Sequence, residues 1–330
     1  MTEGGGRVTT HSTSAGEHLR GEFGAAPSQV LLLGHYDTVW PVGQLARMPV
    51  RRDGDRLYGP GVFDMKAGIV IGLLAMRALA DARLTPHHRV VMLLTTDEEV
   101  GSQTSRAIIE AEAHRSRAVL VLEPALPDGA VKTARKGVGD FVVTATGVAA
   151  HAGIDPRRGA SAVHELAHQV TVLSGLSDLD HGLSVNVGTV KGGTRSNVVA
   201  ETAEAHVDVR IPTMADAERV TAAITGLVPR DPRVRLEISG GINRPPLERT
   251  AGVADMYHRA AAVAAELGRS LGEGATGGAS DGNFTGAIGV PTLDGLGAVG
   301  HGAHALDEHV LLEPLAFRAA LVAGLILQVT

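Results

Sequence analysis

Between residues 29 and 122 three short runs, QVLLL, RVVMLLTT and RAVLVL, are apolar almost throughout. They alternate with segments of helical character, GIVIGLLAMRALADA and SRAIIEAEA. A strand without a polar face must be covered on both sides, so the pattern predicts an α/β fold: a mainly parallel sheet with helices on both faces. The pattern changes after Glu123. FVVTATG, LSVNVGTV and AEAHVDVRI alternate apolar and polar residues, which predicts an antiparallel sheet with one solvated face. The helical segments ASAVHELAHQVTVL and ADAERVTAAITGL would cover its other face. GGINRPP reads as a return linker, after which a helix through AAAVAAELG restores α/β character. The expected organisation is one domain of residues 1–137 and 241–330, with an α+β domain of residues 138–240 inserted into it. The glycine-rich head, residues 1–28, is expected to add little rigid structure.

At 330 residues, two domains are the natural expectation. A net charge of −6 argues against nucleic acid or an acidic membrane surface as partner. The N-terminus lacks a basic-then-apolar leader pattern, and LAFRAALVAGLILQV, interrupted by Arg318, is shorter than the ~20 residues a membrane span needs. A cytoplasmic location is the default expectation. There is no cysteine, so any metal here must be held by His, Asp and Glu.

Those residue types cluster where such a sheet would place a site. QVLLLG runs into His35 and Asp37, VMLLTT into Asp97, Glu98 and Glu99, and AVLVL into Glu123. Open α/β sheets bind ligands at the carboxyl ends of their strands. Asp64 precedes the first helix, and GHGAHALDEH adds His301 and His304. His35, Asp64, Glu99, Glu123 and His304 suit two Zn²⁺ ions sharing a carboxylate and a water, roughly 3.5–4 Å apart; Co²⁺ or Mn²⁺ would accept the same donors. Glu98, next to Glu99, is placed to take a proton from that water.

A second pattern competes. HELAH, His164 to His168, matches the H-E-x-x-H arrangement of two zinc ligands one helical turn apart. Around it Val163, Leu166, Val170 and Leu173 form the stripe of a helix packed on a sheet, with both histidines on its flank. No third ligand is fixed nearby, and the segment lies away from the strand ends. HELAH is read as a decoy.

The stretches GHYDTVWPVG, YGPGVFDMKAG, TTDEEVGS, VLEPA, HAGIDPRRGASA, GGTRSNVV with VDVR, GGASDGN and GAHALDE stand in the order of a known family. From about Gly34 to Leu312 the chain resembles the di-zinc metallopeptidases that include glutamate carboxypeptidase, aminoacylase, acetylornithine deacetylase and succinyl-diaminopimelate desuccinylase. The glutamate carboxypeptidase branch is the most similar. The resemblance implies that Asp64 bridges the metals, with His35 and Glu123 completing one site and Glu99 and His304 the other. It also implies that Glu98 is the general base, that Asp37 orients His35, and that the Asp64–Met65 peptide bond is cis. The inserted domain resembles a lid through which the chain would form a homodimer. There His151 would polarise the scissile carbonyl, Asn197 and Arg210 would hold the substrate, and Lys136 would also touch it.

The expected reaction is hydrolysis of an amide bond next to a free carboxylate, in an N-acyl amino acid or peptide, with glutamate the leading product. An N-acyl-amino-acid deacylase is the alternative. A catalytically silent binding protein is a further one, suggested by the mere 33 or so residues before GHYD, where relatives carry more. His301 stands where many relatives have glycine and reads as a turn residue.

Overall fold

A computed structural model describes residues 6–329. The chain divides into two compact units, one spanning Lys136–Pro246 and the other built from the segments before and after it. In the flanking unit a six-stranded sheet has the order Arg7–Thr13, Gly16–Phe23, Arg89–Thr95, Gln29–His35, Ser116–Val121, Thr292–Leu293. From Arg89–Thr95 onward all neighbours are parallel, and the first two strands add an antiparallel edge.

Side chains along the central strands alternate between two apolar cores. Val30, Leu32, Val90, Met92 and Leu120 pack with the helices Ala67–Asp81, Ala251–Glu266 and Leu315–Gln328. Leu31, Leu33, Val91, Leu93, Val119 and Val121 meet Ile109 and Phe284 of Arg106–His114 and Gly282–Ala287. Both faces being dry, neither parity can be polar, which is why the runs are continuously apolar. Gly68 lets the first helix approach the sheet: a Cβ there would fall 1.9 Å from the carbonyl oxygen of Leu122. That approach brings the segment before the helix, with Asp64, to the end of the strand before Glu123.

Two expectations need correction. The head of the chain is ordered from Arg7 on, as a hairpin of Arg7–Thr13 and Gly16–Phe23 that extends the sheet; residues 1–5 of that expectation lie outside the described residues. Glycine content misleads here, because Leu19 and Phe23 pack on the core and His18 is fully buried, its Nε2 3.0 Å from Thr104 Oγ1. The second concerns GGINR, read as linker. It is the second half of the strand Arg235–Arg244, paired with Gly137–Thr146. Gly240 is there for close approach (φ 92°), since a Cβ would meet the Asp140 carbonyl oxygen at 2.1 Å.

Among the described residues no helix is long and apolar enough to cross a membrane. In the last helix, buried Arg318 donates to the carbonyls of Gly297, Gly129 and Gly295. Burial lowers its pKa to about 10.

The Lys136–Pro246 unit is a four-stranded antiparallel sheet, ordered Ser184–Gly192, Thr202–Ile211, Gly137–Thr146, Arg235–Arg244. Its inward residues, among them Phe141, Val143, Ala205, Val207 and Val209, pack with Leu166, Leu173, Val220 and Ile224 of the helices Ala162–Ser174 and Met214–Thr225. HELAH lies in the first of these helices, capped by Ser161 Oγ, which accepts the His164 N–H at 3.2 Å. Its buried stripe is Ala162, Glu165, Leu166, Gln169 and Leu173; Val163 is exposed and Val170 only partly buried, so the helix is rotated from the sequence reading. Both histidines are exposed. The glutamate between them is structural. Its carboxylate accepts the backbone N–H groups of Arg230 and Asp231, both at 3.0 Å, and the Gln169 amide at 2.7 Å.

Burial by itself would raise the Glu165 pKa, but those N–H donors outweigh it and hold it below the usual carboxylate range. A depressed carboxyl contributes stability above its unfolded value, lost as pH falls through the folded one. Replacing Glu165 by Ala strands two N–H groups, with an expected cost of about 2–3 kcal/mol at neutral pH. The cost should shrink as pH falls below about 4, where wild type loses the same interaction. Thermal melts of both proteins from pH 7 to pH 3 measure this, and a pH-independent difference would contradict the assignment.

Candidate metal centre

In the flanking unit the ends of regular elements converge. His35 is the last residue of Gln29–His35, and Glu123 follows Ser116–Val121 by two residues. Glu98 and Glu99 open a short turn, Glu98–Val100, just past Arg89–Thr95. His304 lies in the turn before the strand His309–Leu311 with φ 64°, a left-handed conformation that costs a non-glycine residue free energy and so marks a constrained position. The Asp64–Met65 peptide bond is cis.

Two groups of donor atoms result, His35–Asp64–Glu123 and Asp64–Glu99–His304, each with its atoms within 4.8 Å of one another and sharing Asp64. His35 Nε2 lies 3.3 Å from Asp64 Oδ1 and 3.3 Å from Glu123 Oε1; His304 Nε2 lies 3.5 Å from Asp64 Oδ2 and 3.2 Å from Glu99 Oε2. Yet His35 Nε2, Asp64 Oδ1 and Glu99 Oε1 are buried and make no hydrogen bond. Buried polar atoms left unpaired cost free energy, and here they face one another around two common points. Nitrogen and oxygen donors so arranged fit a pair of divalent cations, with Asp64 between them.

The electrostatics agree. Burial opposes charge on His35, but Asp37, Asp64 and Glu123 outweigh it and hold its pKa well above the ordinary value. For His304 the contact with Asp64 raises the pKa to about 9, burial opposing and Glu99 adding to the rise. Burial would raise Asp64, but the two imidazoles pull it far down; Glu99 is raised by burial and by Asp64. The carboxylates thus attract positive charge, which protons supply only in part.

Neighbouring residues aim the donors. Asp37 Oδ1 stands 3.4 Å from His35 Nδ1, while Oδ2 accepts the Glu99 N–H at 3.0 Å. His35 Nδ1 also lies 3.3 Å from the Asp37 carbonyl oxygen, so Asp37 neighbours the imidazole of one group and binds the backbone of the other. Asp97 does something else: Oδ2 accepts the Thr104 N–H (2.7 Å) and hydroxyl (2.8 Å), fixing the loop.

Sequence reading missed Arg135. Its fully buried guanidinium grips Asp294 through Nε and Nη2 (both 2.8 Å), donates from Nη2 to Glu123 Oε2 at 3.1 Å, and reaches the carbonyls of Gly278 and Ala279. Glu123 is left one oxygen, Oε1, facing His35. The sequence signal for it is ARKGVG, in which Arg135 directly precedes Lys136. Arg135 ends the strand Val131–Arg135 and is buried there.

In the other unit the strand pairing Ala150–His151 with Val198–Val199 brings His151 beside Asn197, whose carbonyl accepts the Ala152 N–H at 3.0 Å. His151 Nδ1 accepts the N–H groups of Gly153 (3.1 Å) and Ile154 (3.2 Å), so the neutral ring carries its proton on Nε2. Arg210 is not part of this pair. It lies on Thr202–Ile211, its Nε and Nη2 bound to Asp208 at 2.9 and 2.8 Å. Lys136 lies over Gly182. His301 is exposed, on a strand paired with His309.

A doubly wound α/β unit that turns two imidazoles and three carboxylates on one another is the framework of a dinuclear metallohydrolase. Comparison agrees: the model of peptidase family M20/M25/M40 matches residues 31–328. Carboxypeptidase G2 of Pseudomonas sp. (strain RS-16) is 31% identical over 335 residues, covering 98% of this chain and 80% of that protein. Aminopeptidase PepT from Bacillus cereus superposes with a TM-score of 0.80 at 22% identity, covering 99% of this chain and 90% of that one. The Bacillus subtilis YXEP protein, described as a dinuclear metal-binding peptidase of family M20, gives 0.70 at 15%, covering 100% and 90%. The chain belongs to peptidase family M20/M25/M40 and is a hydrolase of the metallopeptidase class.

Metal uptake should therefore displace protons, because a ligand imidazole must be neutral and His304 holds its proton up to about pH 9 in the metal-free protein. Zinc titrated at pH 7 into chelator-stripped protein is expected to bind at two ions per chain and release about one to two protons, with weaker binding as pH falls. Calorimetry in two buffers of different ionisation enthalpy counts them. Uptake without proton release would contradict the ligand set.

Proposed function

We propose that the chain hydrolyses an amide bond next to a free carboxylate, releasing an amino acid, with glutamate first among the candidates and zinc as the metal. The observation that carries the reading is the pair of donor groups sharing Asp64, with Glu98 preceding Glu99 on the same turn. A pair of divalent cations held by His35, Asp64, Glu99, Glu123 and His304 would supply Lewis acidity to a water and a carbonyl.

Glu98 is the general base of this proposal. It accepts a proton from the attacking water and gives it to the departing amine nitrogen, so one side chain serves both steps. Asp97, committed to Thr104, is unsuited to that shuttle. Asp37 holds His35 and the Glu98–Glu99 turn in place. For the Lys136–Pro246 unit we propose substrate-holding roles. The Nε2–H of His151 suits a carbonyl oxygen that gains charge, a role supported by the donors that occupy its Nδ1. Asn197, Arg210 and Lys136 would bind the rest of the substrate, with Arg210 on its free carboxylate. A homodimer through this unit belongs to the same proposal.

One observation favours a second reading, a deacylase of other N-acyl amino acids. Arg210 is already paired with Asp208, and a partly neutralised guanidinium attracts a doubly negative glutamyl group less strongly.

Two measurements decide. The zinc-loaded protein is offered acyl-glutamates, neutral N-acyl amino acids and dipeptides; preferential glutamate release supports the first reading, release of neutral residues the second. Replacing Glu98 by Gln should lower the rate roughly 10²- to 10⁴-fold while two metals still bind. An unchanged rate would remove Glu98 as the base.

A further inference from the structure

Glu308 is 1% exposed and stands four residues beyond His304. Its Oε1 accepts the backbone N–H groups of Phe63 at 3.0 Å and Asp64 at 3.1 Å. Its Oε2 accepts the Gly61 N–H and the Trp40 indole N–H, both at 2.8 Å. The backbone joins in, with the Gly59 N–H on the Glu308 carbonyl at 3.3 Å and the Glu308 N–H on that of Ala305 at 3.0 Å. Four N–H donors converge on two carboxylate oxygens. A carboxamide, with one acceptor oxygen and an NH₂ of its own, cannot replace them.

These donors belong to the segment that delivers Asp64, the residue common to both donor groups. The acceptor belongs to the turn that delivers His304. We propose that Glu308 is a positioning residue for the metal pair: it fixes the Asp64 carboxylate relative to the His304 imidazole without being a ligand to either ion. The inference rests on the metal reading above and assigns a role to a residue outside that ligand set. Groups that orient metal ligands from behind commonly change affinity 10- to 100-fold when removed.

A mere fold staple would differ in what its loss changes. It would lower the melting temperature and leave the geometry of the folded site alone. The test uses the full chain, stripped of metal and loaded with Co²⁺, whose visible absorption reports coordination geometry. In Glu308→Gln we expect a changed Co²⁺ spectrum, metal affinity weaker by roughly 10- to 100-fold, and a fall in kcat with KM little altered. Trp40 is the only tryptophan, so its emission should change once the indole N–H loses its acceptor. Trp40→Phe, which leaves the three backbone contacts in place, should take up Co²⁺ with a wild-type spectrum. Should Glu308→Gln not fold, Glu308→Asp, which keeps the charge but is one methylene shorter, is read the same way. A folded Glu308 variant with lowered melting temperature but wild-type Co²⁺ spectrum and affinity would overturn the proposal. Wild-type protein that takes up no Co²⁺ would overturn the metal reading and this inference together.

Discussion

The architecture depends on keeping the Asp64 carboxylate between two imidazoles. His35 and His304 approach it from opposite oxygens, at 3.3 and 3.5 Å, while Glu123 and Glu99 close the two sides. Such a gathering of negative charge at the edge of a packed sheet is unfavourable unless cations answer it. The strand ends, the tight approach at Gly68 and the left-handed turn at His304 serve that one arrangement.

What holds it together lies one layer out. Asp37 spans the two donor groups, Arg135 and Asp294 fix the far oxygen of Glu123, and Glu308 collects the amides behind Asp64. All but Asp37 are nearly fully buried, and their hydrogen-bonding capacity is largely filled within the fold. Rigid support of this kind holds a donor set in its geometry. The Lys136–Pro246 unit follows another logic: an antiparallel sheet with one wet face carries polar groups on short exposed segments, where His151 and Asn197 meet.

HELAH shows how a local pattern is decided by its surroundings. Helical spacing alone sets His164 and His168 on one side, as a metal site would require. Tertiary packing then buries the glutamate between them against the backbone of Arg230 and Asp231 and turns both imidazoles to solvent. The strand-end residues have the opposite history. His35 and Glu123 sit at the ends of two different strands, and only the parallel sheet makes them neighbours.

The sequence by itself determined the layers and placed the candidate donor residues at the strand ends. Continuous apolar runs admit only a sheet covered on both faces, alternation admits only a half-solvated one, and each central strand ends in a group able to bind metal. It also carried the family resemblance. Composition failed where local polarity concealed a paired strand, in the N-terminal hairpin and at GGINR, because backbone pairing satisfies glycine and threonine segments as well as apolar ones. Tertiary structure alone decided which buried charges face one another. Arg135 and Asp294 are 159 residues apart, and Glu308 and Asp64 are 244. No periodicity or motif encodes such pairings, since they arise from strand order and from the requirement that every buried polar atom find a partner.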